Sequence, residues 1–207
     1  MKRTAFLPVF ILAMLFSVLS SSPGYGQNAL PAFKNNVVPG PDLLDSALRN
    51  DVKNFDLIIA YGQNSTWYWG HEYHLLVLYK SHWKKYYYKK FKMPYPNFSK
   101  DTLLLLKEST NAVCERLYKA LLNKKLLTIE DDRAYPSCPE TDTVIDGKVM
   151  SNRHMIMDAG GYNIWIIAHD RSRDLNYYAP DFFYKYCPAY GDRRYALAII
   201  KLWDKQW

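Results

Sequence analysis

Between Trp67 and Tyr79 the chain alternates. Trp67, Trp69, Tyr73, Leu75, Val77 and Tyr79 fall on odd positions, interrupted by His71, whereas Thr66, Tyr68, Glu72, His74 and Lys80 fall on even ones with Leu76 and Leu78 between them. Period two in a stretch rich in aromatic and β-branched residues predicts a strand with one apolar face. Lys80-Ser81-His82 supplies a turn and Trp83 to Phe91 a return strand, so the region reads as a long hairpin. Upstream, Phe55 to Tyr61, apolar apart from Asp56, predicts a buried strand ended by Gly62-Gln63-Asn64-Ser65. Before it, Pro41 and apolar positions 43, 44, 47 and 48 predict a short helix.

Beyond the hairpin, Pro94 and Pro96 close the sheet segment, and the period changes. Val113, Cys114, Leu117, Tyr118, Leu121 and Leu122 recur at helical spacing and predict a helix over 108–124; Leu103 to Leu106 ahead of it fit either period. Residues 129–142 are polar and Pro-bearing, and read as a loop. Arg153 to Met157, Tyr162 to Ala168 and Leu175 to Tyr178 read as strands, with turns at Asp146-Gly147 and Gly160-Gly161 and a loop at Asp170 to Arg173. Ala179-Pro180-Asp181 opens a short helix with Pro at its first position, and Asp192 is placed to cap a final helix over 192–204. The segments Tyr73 to Val77 and Tyr162 to Ile166 each open a hairpin returning to paired tyrosines, Tyr87-Tyr88 and Tyr177-Tyr178, an echo compatible with duplication. Grouped strands, then helix, then grouped strands predict a single α+β domain of antiparallel, aromatic-rich hairpins packed by two main helices.

Residues 1–26 read differently. Lys2 and Arg3 precede the uncharged, mostly apolar run Ala5 to Leu19, and small residues Gly24 and Gly26 frame a cut before Gln27. That order is a secretory signal peptide, and the run falls short of the roughly 18 to 20 residues that span a bilayer. The expectation is an exported domain over 27–207, periplasmic or secreted, with no transmembrane segment after cleavage. Lys2 and Arg3 are the only charges of the leader, so its loss lowers the net charge from +7 to +5. A moderate positive excess favours anionic surfaces without selecting one.

An exported chain with three cysteines holds at most one internal disulfide. Cys114 sits on the apolar face of the predicted 108–124 helix, where a thiol is buried and inert, whereas Cys138 and Cys187 lie in Pro-bearing loop contexts. The expected pair is Cys138–Cys187, closing a loop of about 50 residues worth roughly 4 kcal/mol on the chain-entropy model.

Candidate chemistry begins at His71-Glu72-Tyr73-His74. A zinc-protease helix needs histidines at i and i+4, and position 75 is Leu. On a strand, positions 71 and 74 belong to opposite faces, and His82 lies about 25 Å further on, so no shared metal is expected. Glu72 and His74 share a face and could do acid–base work; His71 is alone on the aromatic face. The second candidate is the band Lys84, Lys85, Tyr86, Tyr87, Tyr88, Lys89 and Lys90, where cations interleave with flat rings. The same lysines would also guard a sheet edge against aggregation. The charged loop His169 to Asp174 and the pair Arg193-Arg194 read as solvated surface.

No Walker loop, dinucleotide turn, Gly-x-Ser-x-Gly elbow or paired-Cys metal motif occurs, and no cofactor is expected. The triplets Asn64-Ser65-Thr66 and Asn97-Phe98-Ser99 match glycosylation acceptors, relevant only to a eukaryotic secretory route. The expected function is non-enzymatic: an exported binding or envelope-interaction protein that uses the Lys/Tyr-rich hairpin. Its expected partner is anionic envelope material, an acidic glycan or a protein, with nucleic acid an unlikely ligand in that compartment. The alternatives are a small hydrolase acting through Glu72 and His74 or His71, and an inhibitor or immunity-type protein acting through surface shape.

Overall fold

The apolar run after Phe55 becomes the centre of a sheet. In the computed structural model, which describes residues 30–37, 44–64, 70–91, 102–106, 109–134, 138, 141–152, 156–157, 159–189 and 191–207, strand β1 (Leu57–Asn64) pairs antiparallel with β2 (Gly70–Tyr79) on one side. On its other side lies β7 (Gly161–Ala168), also antiparallel. Outside β2 come β3 (His82–Phe91) and β4 (Thr102–Leu106), and outside β7 comes β8 (Ser172–Tyr178). The order is therefore β4-β3-β2-β1-β7-β8, an α+β fold within the compact unit Ala32–Trp207. The leader over 1–26, Trp67, Trp69, Pro94, Pro96, the triplet at 97–99 and residues 153–155 lie outside the described residues.

Alternation sends side chains to two faces, and both are covered. On one face Ile58, Ala60, Tyr73, Leu75, Val77, Tyr88, Trp165 and Ile167 cluster with Leu44, Leu48, Val52 and Phe55. Leu44 and Leu48 are the buried positions of α1 (Leu44–Asp51), whose 3.6-residue period presents both to the sheet. The other face meets α2 (Asn111–Asn123) and α4 (Arg193–Asp204): Trp83 lies 4.6 Å from Tyr118 and Tyr61 stacks on Trp203. The single apolar face expected for β2 is therefore two, and Leu76 at an even position is as buried as Leu75. Strands covered on both sides read as continuous apolar runs rather than clean alternation. The two echoing hairpins flank β1, and their tyrosines pair in register, Tyr73 with Tyr88 and Tyr162 with Tyr177.

Several local readings change. β1 does not end at Gly62 but runs to Asn64, because a glycine leaves room for Tyr73: an added Cβ would sit 2.6 Å from both the Glu72 carbonyl oxygen and the Tyr73 ring. Leu103 to Leu106 form strand β4, since residues 102–106 pair with β3. Of the strand expected at 153–157, Ile156 and Met157 lie in no strand and the rest falls outside the described residues; ahead of it a separate hairpin, β5 (Thr141–Ile145) and β6 (Lys148–Asn152), turns at Asp146-Gly147. Every side chain from Asp142 to Ser151 is exposed, so this hairpin adds nothing to the core.

Helix starts also shift. Thr110 caps α2 by accepting the Val113 N–H, as a short hydroxyl side chain should. Asp192 does not cap α4 with its side chain; its carboxylate instead accepts the Glu130 N–H, drawing the 127–134 segment onto the helix start. Helix α3 (Pro180–Tyr186) starts with Pro180, as its sequence implies, after Ala179 in the left-handed region. The disulfide Cys138–Cys187 is formed, with Cα atoms 6.0 Å apart, and Cys114 is free and buried.

Candidate functional site

The polar ends of three strands and the end of α4 line a half-open cavity of about 530 Å³. Its lining comes from alternate positions: Tyr61 and Gln63 on β1, Glu72 and His74 on β2, and Tyr162 on β7. Register explains the grouping, because Tyr61 lies opposite His74, and Gln63 lies opposite both Glu72 and Tyr162. Gly160 and Gly161 form part of the wall, and Trp203, Asp204 and Trp207 close it.

The aromatic rings form a nearly parallel stack. Tyr61 lies 5.6 Å from Trp203 with the planes 7° apart, and 6.1 Å from Tyr162 on its other side. Trp207 continues the row, 5.8 Å from Trp203 and 4.5 Å from the His74 ring. Offset stacking of this kind holds rings rigidly and contributes about 0.5–1.5 kcal/mol per pair beyond burial. Lys85 fixes Trp207: its ammonium sits 4.6 Å from the indole and donates to the Gln206 carbonyl at 3.0 Å.

Charge is arranged around this stack. The Tyr61 hydroxyl donates to Asp204 at 2.9 Å, and burial together with that carboxylate pushes the phenol well above its ordinary pKa. Glu72 pairs with Lys89 at 2.9 Å. Burial lowers the His74 pKa, against the opposing pull of the Glu72 and Asp204 carboxylates, so the imidazole is neutral at neutral pH. Burial likewise lowers the Lys85 pKa.

No family model matches this chain, and no curated protein matches it. The site therefore rests on its own geometry.

Glu72 and His74 both line the cavity. His71 is on β2 opposite Lys90, with the side chains of both outside the described ones. The Lys/Tyr band is divided by the strand it lies on. Tyr88 is buried in the α1-side core and Tyr86 packs against it, while Lys84 is exposed on that side. Lys85 is buried beneath Trp207, Tyr87 meets His74 edge-on at 5.8 Å, and Lys89 is engaged by Glu72. Among the described residues, no group of three or more His, Cys, Asp or Glu could hold a metal.

Two readings of surface charge are corrected. Arg173 and Asp174, taken as a solvated loop, are buried in β8, and Arg193 is buried in an ion pair with Asp132 at 3.0 Å. The cavity residues missed from sequence are Tyr61, Tyr162, Trp203, Asp204 and Trp207. Tyr61 and Tyr162 read as ordinary strand residues, and Trp203 and Trp207 as aromatic density at the chain's end, which helical periodicity assigns to core.

The lowered His74 pKa gives a pH prediction. The unfolded imidazole takes a proton near its ordinary value of about 6.5, the folded one only below that. Below about 6.5 the unfolded state binds more protons, so stability falls as pH drops from 6.5 towards the folded pKa. Thermal melts of wild type and His74→Asn between pH 7.5 and pH 5 should show the variant losing less Tm over this window. An identical acid-side loss in both would exclude His74 as its source.

Proposed function

We propose that the protein is an exported, non-enzymatic binding protein whose ligand seat is the aromatic cavity between β1, β2, β7 and α4. The carrying observation is the lining itself: four stacked rings beside Gln63, Glu72, His74 and Asp204. A concave, largely aromatic wall with few convergent polar groups has the usual composition of a small-molecule site. The lining contains carboxylates but no lysine or arginine, which disfavours an anionic ligand and favours a neutral or cationic one. The leader pattern and the Cys138–Cys187 disulfide support export to an oxidising compartment.

Anionic envelope material held by the lysine-rich hairpin draws less support, because Lys85 is buried and Lys89 is paired with Glu72. A second reading, a hydrolase, is favoured by one observation: the carboxylates of Glu72 and Asp204 line the same cavity as His74, whose pKa burial lowers. Turnover of a bound ligand, abolished by His74→Asn, would place it ahead of simple binding.

Intrinsic fluorescence tests the binding reading, since Trp203 and Trp207 line the seat. The panel would comprise neutral trisaccharides, choline and inorganic phosphate. Saturable quenching by a neutral or cationic member, lost in Trp207→Ala, is the expected result. Quenching by phosphate alone, or undiminished binding in the variant, would sink the proposal.

A further inference from the structure

We infer that two copies of this chain pair through β4, antiparallel and about a two-fold axis at Leu104, so that one sheet runs through both. The surface is separate from the cavity, to whose lining β4 contributes nothing.

The two edges of the sheet differ. On β8, alternate N–H groups donate to side chains: Ser172 to Asn35 at 3.1 Å, Asp174 to Asn36 at 2.8 Å, Asn176 to Asp131 at 3.0 Å and Tyr178 to Asp132 at 2.8 Å. The carbonyls of Ser172, Asp174 and Asn176 accept from Asn36 and Asp132. That edge is closed to a further strand. β4 ends the sheet on the other side, and among the described residues 103–106 make no backbone hydrogen bond beyond β3. Leu104 is 52% exposed and Leu105 47%, one on each face. Edge strands are ordinarily guarded by a charge, a proline or a bulge, and Thr102–Leu106 carries neither charge nor proline. An apolar, open edge of this kind is a template for another strand.

The sequence indicates which strand. It runs Lys100-Asp101-Thr102-Leu103-Leu104-Leu105-Leu106-Lys107-Glu108. Residues opposite each other across an antiparallel pair share a face, so a two-fold axis perpendicular to the sheet must pass through a residue rather than between two. Centring on Leu104 sets Lys100 opposite Glu108 of the second copy, Asp101 opposite Lys107, Leu103 opposite Leu105 and Leu104 opposite itself. Centring on Leu103 leaves Asp101 opposite Leu105, and centring on Leu105 leaves Lys107 opposite Leu103. Only the Leu104 register gives each of the four charges an opposite charge. Those four residues lie outside the described ones and enter by sequence position alone.

The described part of the strand agrees. Leu103 and Leu105 pair with Tyr88 and Tyr86 on the α1 side, and Leu103 packs against that core. Leu105 would lie beside Leu103 of the second copy, carrying the apolar layer across the junction. Opposite charges directly across a strand pair favour it and like charges disfavour it. Because β8 is closed, the assembly stops at two copies. A contact one strand long is small for a specific interface, so the dimer is reversible.

Sedimentation equilibrium over a range of concentrations tests this, on the full chain and on residues 27–207, so that association through the apolar leader is told apart. In both, the mass should rise from monomer to dimer and no further. Leu104→Lys, at an exposed position, brings two ammonium groups together and should weaken association about tenfold or more. Asp101→Lys and Lys107→Asp should each weaken it about fivefold or more, and the double variant, which restores opposite charges, should recover it. Thermal melts confirm that each variant is folded; if Leu104→Lys is not, the charge exchange alone decides. A monomer at every concentration would leave this edge to a foreign strand or to none, and would overturn self-pairing. So would association of the full chain alone, a mass that climbs past the dimer, or a dimer indifferent to Leu104→Lys. A double variant no tighter than the single ones would overturn the Leu104 register.

Discussion

Trp203→Ala is expected to lower stability by about 3–5 kcal/mol, the range for removing a large aromatic side chain from a packed core. Trp203 is fully buried, stacks on Tyr61 with planes 7° apart and touches the Trp207 row at 5.8 Å. Deleting the indole leaves a void between α4 and the sheet that neither backbone can close without breaking other contacts. Because several degrees of Tm accompany each kcal/mol in a chain of this size, the loss should exceed about 6 °C. Urea melts should show a lower midpoint with the slope unchanged, since the folded surface is otherwise the same. Trp203→Phe keeps a ring but loses the five-membered part of the indole, and should cost clearly less than the alanine change, about 1–3 kcal/mol. A full-size loss from Phe as well would mean that the indole, not its volume, carries the stabilisation; a loss below 1 kcal/mol from Ala would mean α4 packs less tightly than its contacts indicate.

The second large effect is at Arg173, which is 1% exposed on β8. Its guanidinium donates to the carbonyls of Leu127 and Ile129 and lies 3.5 Å from the Glu130 carboxylate. These bonds stitch the segment after α2 onto the sheet, where Tyr177 also donates to the Glu130 carbonyl at 2.9 Å. Arg173→Leu keeps much of the apolar volume but strands two buried carbonyls, each costing about 1–3 kcal/mol. A total loss of about 2–5 kcal/mol is expected from thermal and denaturant melts. Arg173→Lys should recover little, because a single ammonium cannot reproduce the planar fork that reaches two acceptors. Near-complete rescue by lysine would show that charge rather than geometry holds the segment.

These two positions differ in how far the sequence announced them. Trp203 was assignable to a helix from the apolar run through Tyr195, Leu197, Ile199, Ile200, Leu202 and Trp203, and the structure places it on the buried face. Arg173, in a run of alternating charges, looked like solvated loop. Local polarity predicts exposure only when no distant backbone needs a donor, and Leu127 and Ile129 are more than forty residues away. The same distance hid Arg193, whose partner is Asp132. The cavity shows an intermediate case. Glu72 and His74 were placed on one face by parity, a local property, but the rings that make them a site come from β1, β7 and α4.

The sequence by itself determined the strands at the core of the chain, the α2 and α4 helices, the α+β class, the disulfide pairing and the opposition of positions 71 and 74. Each follows from periodicity or residue chemistry within a dozen neighbours, apart from the cysteine pairing, which followed by elimination. Only the tertiary structure decided that both sheet faces are covered, that Lys85 is buried beneath Trp207, and that Trp203, Asp204 and Trp207 close over Tyr61. Those outcomes depend on which elements meet across more than a hundred residues. Alternation says that two faces exist; it carries no information about what will be folded against either one.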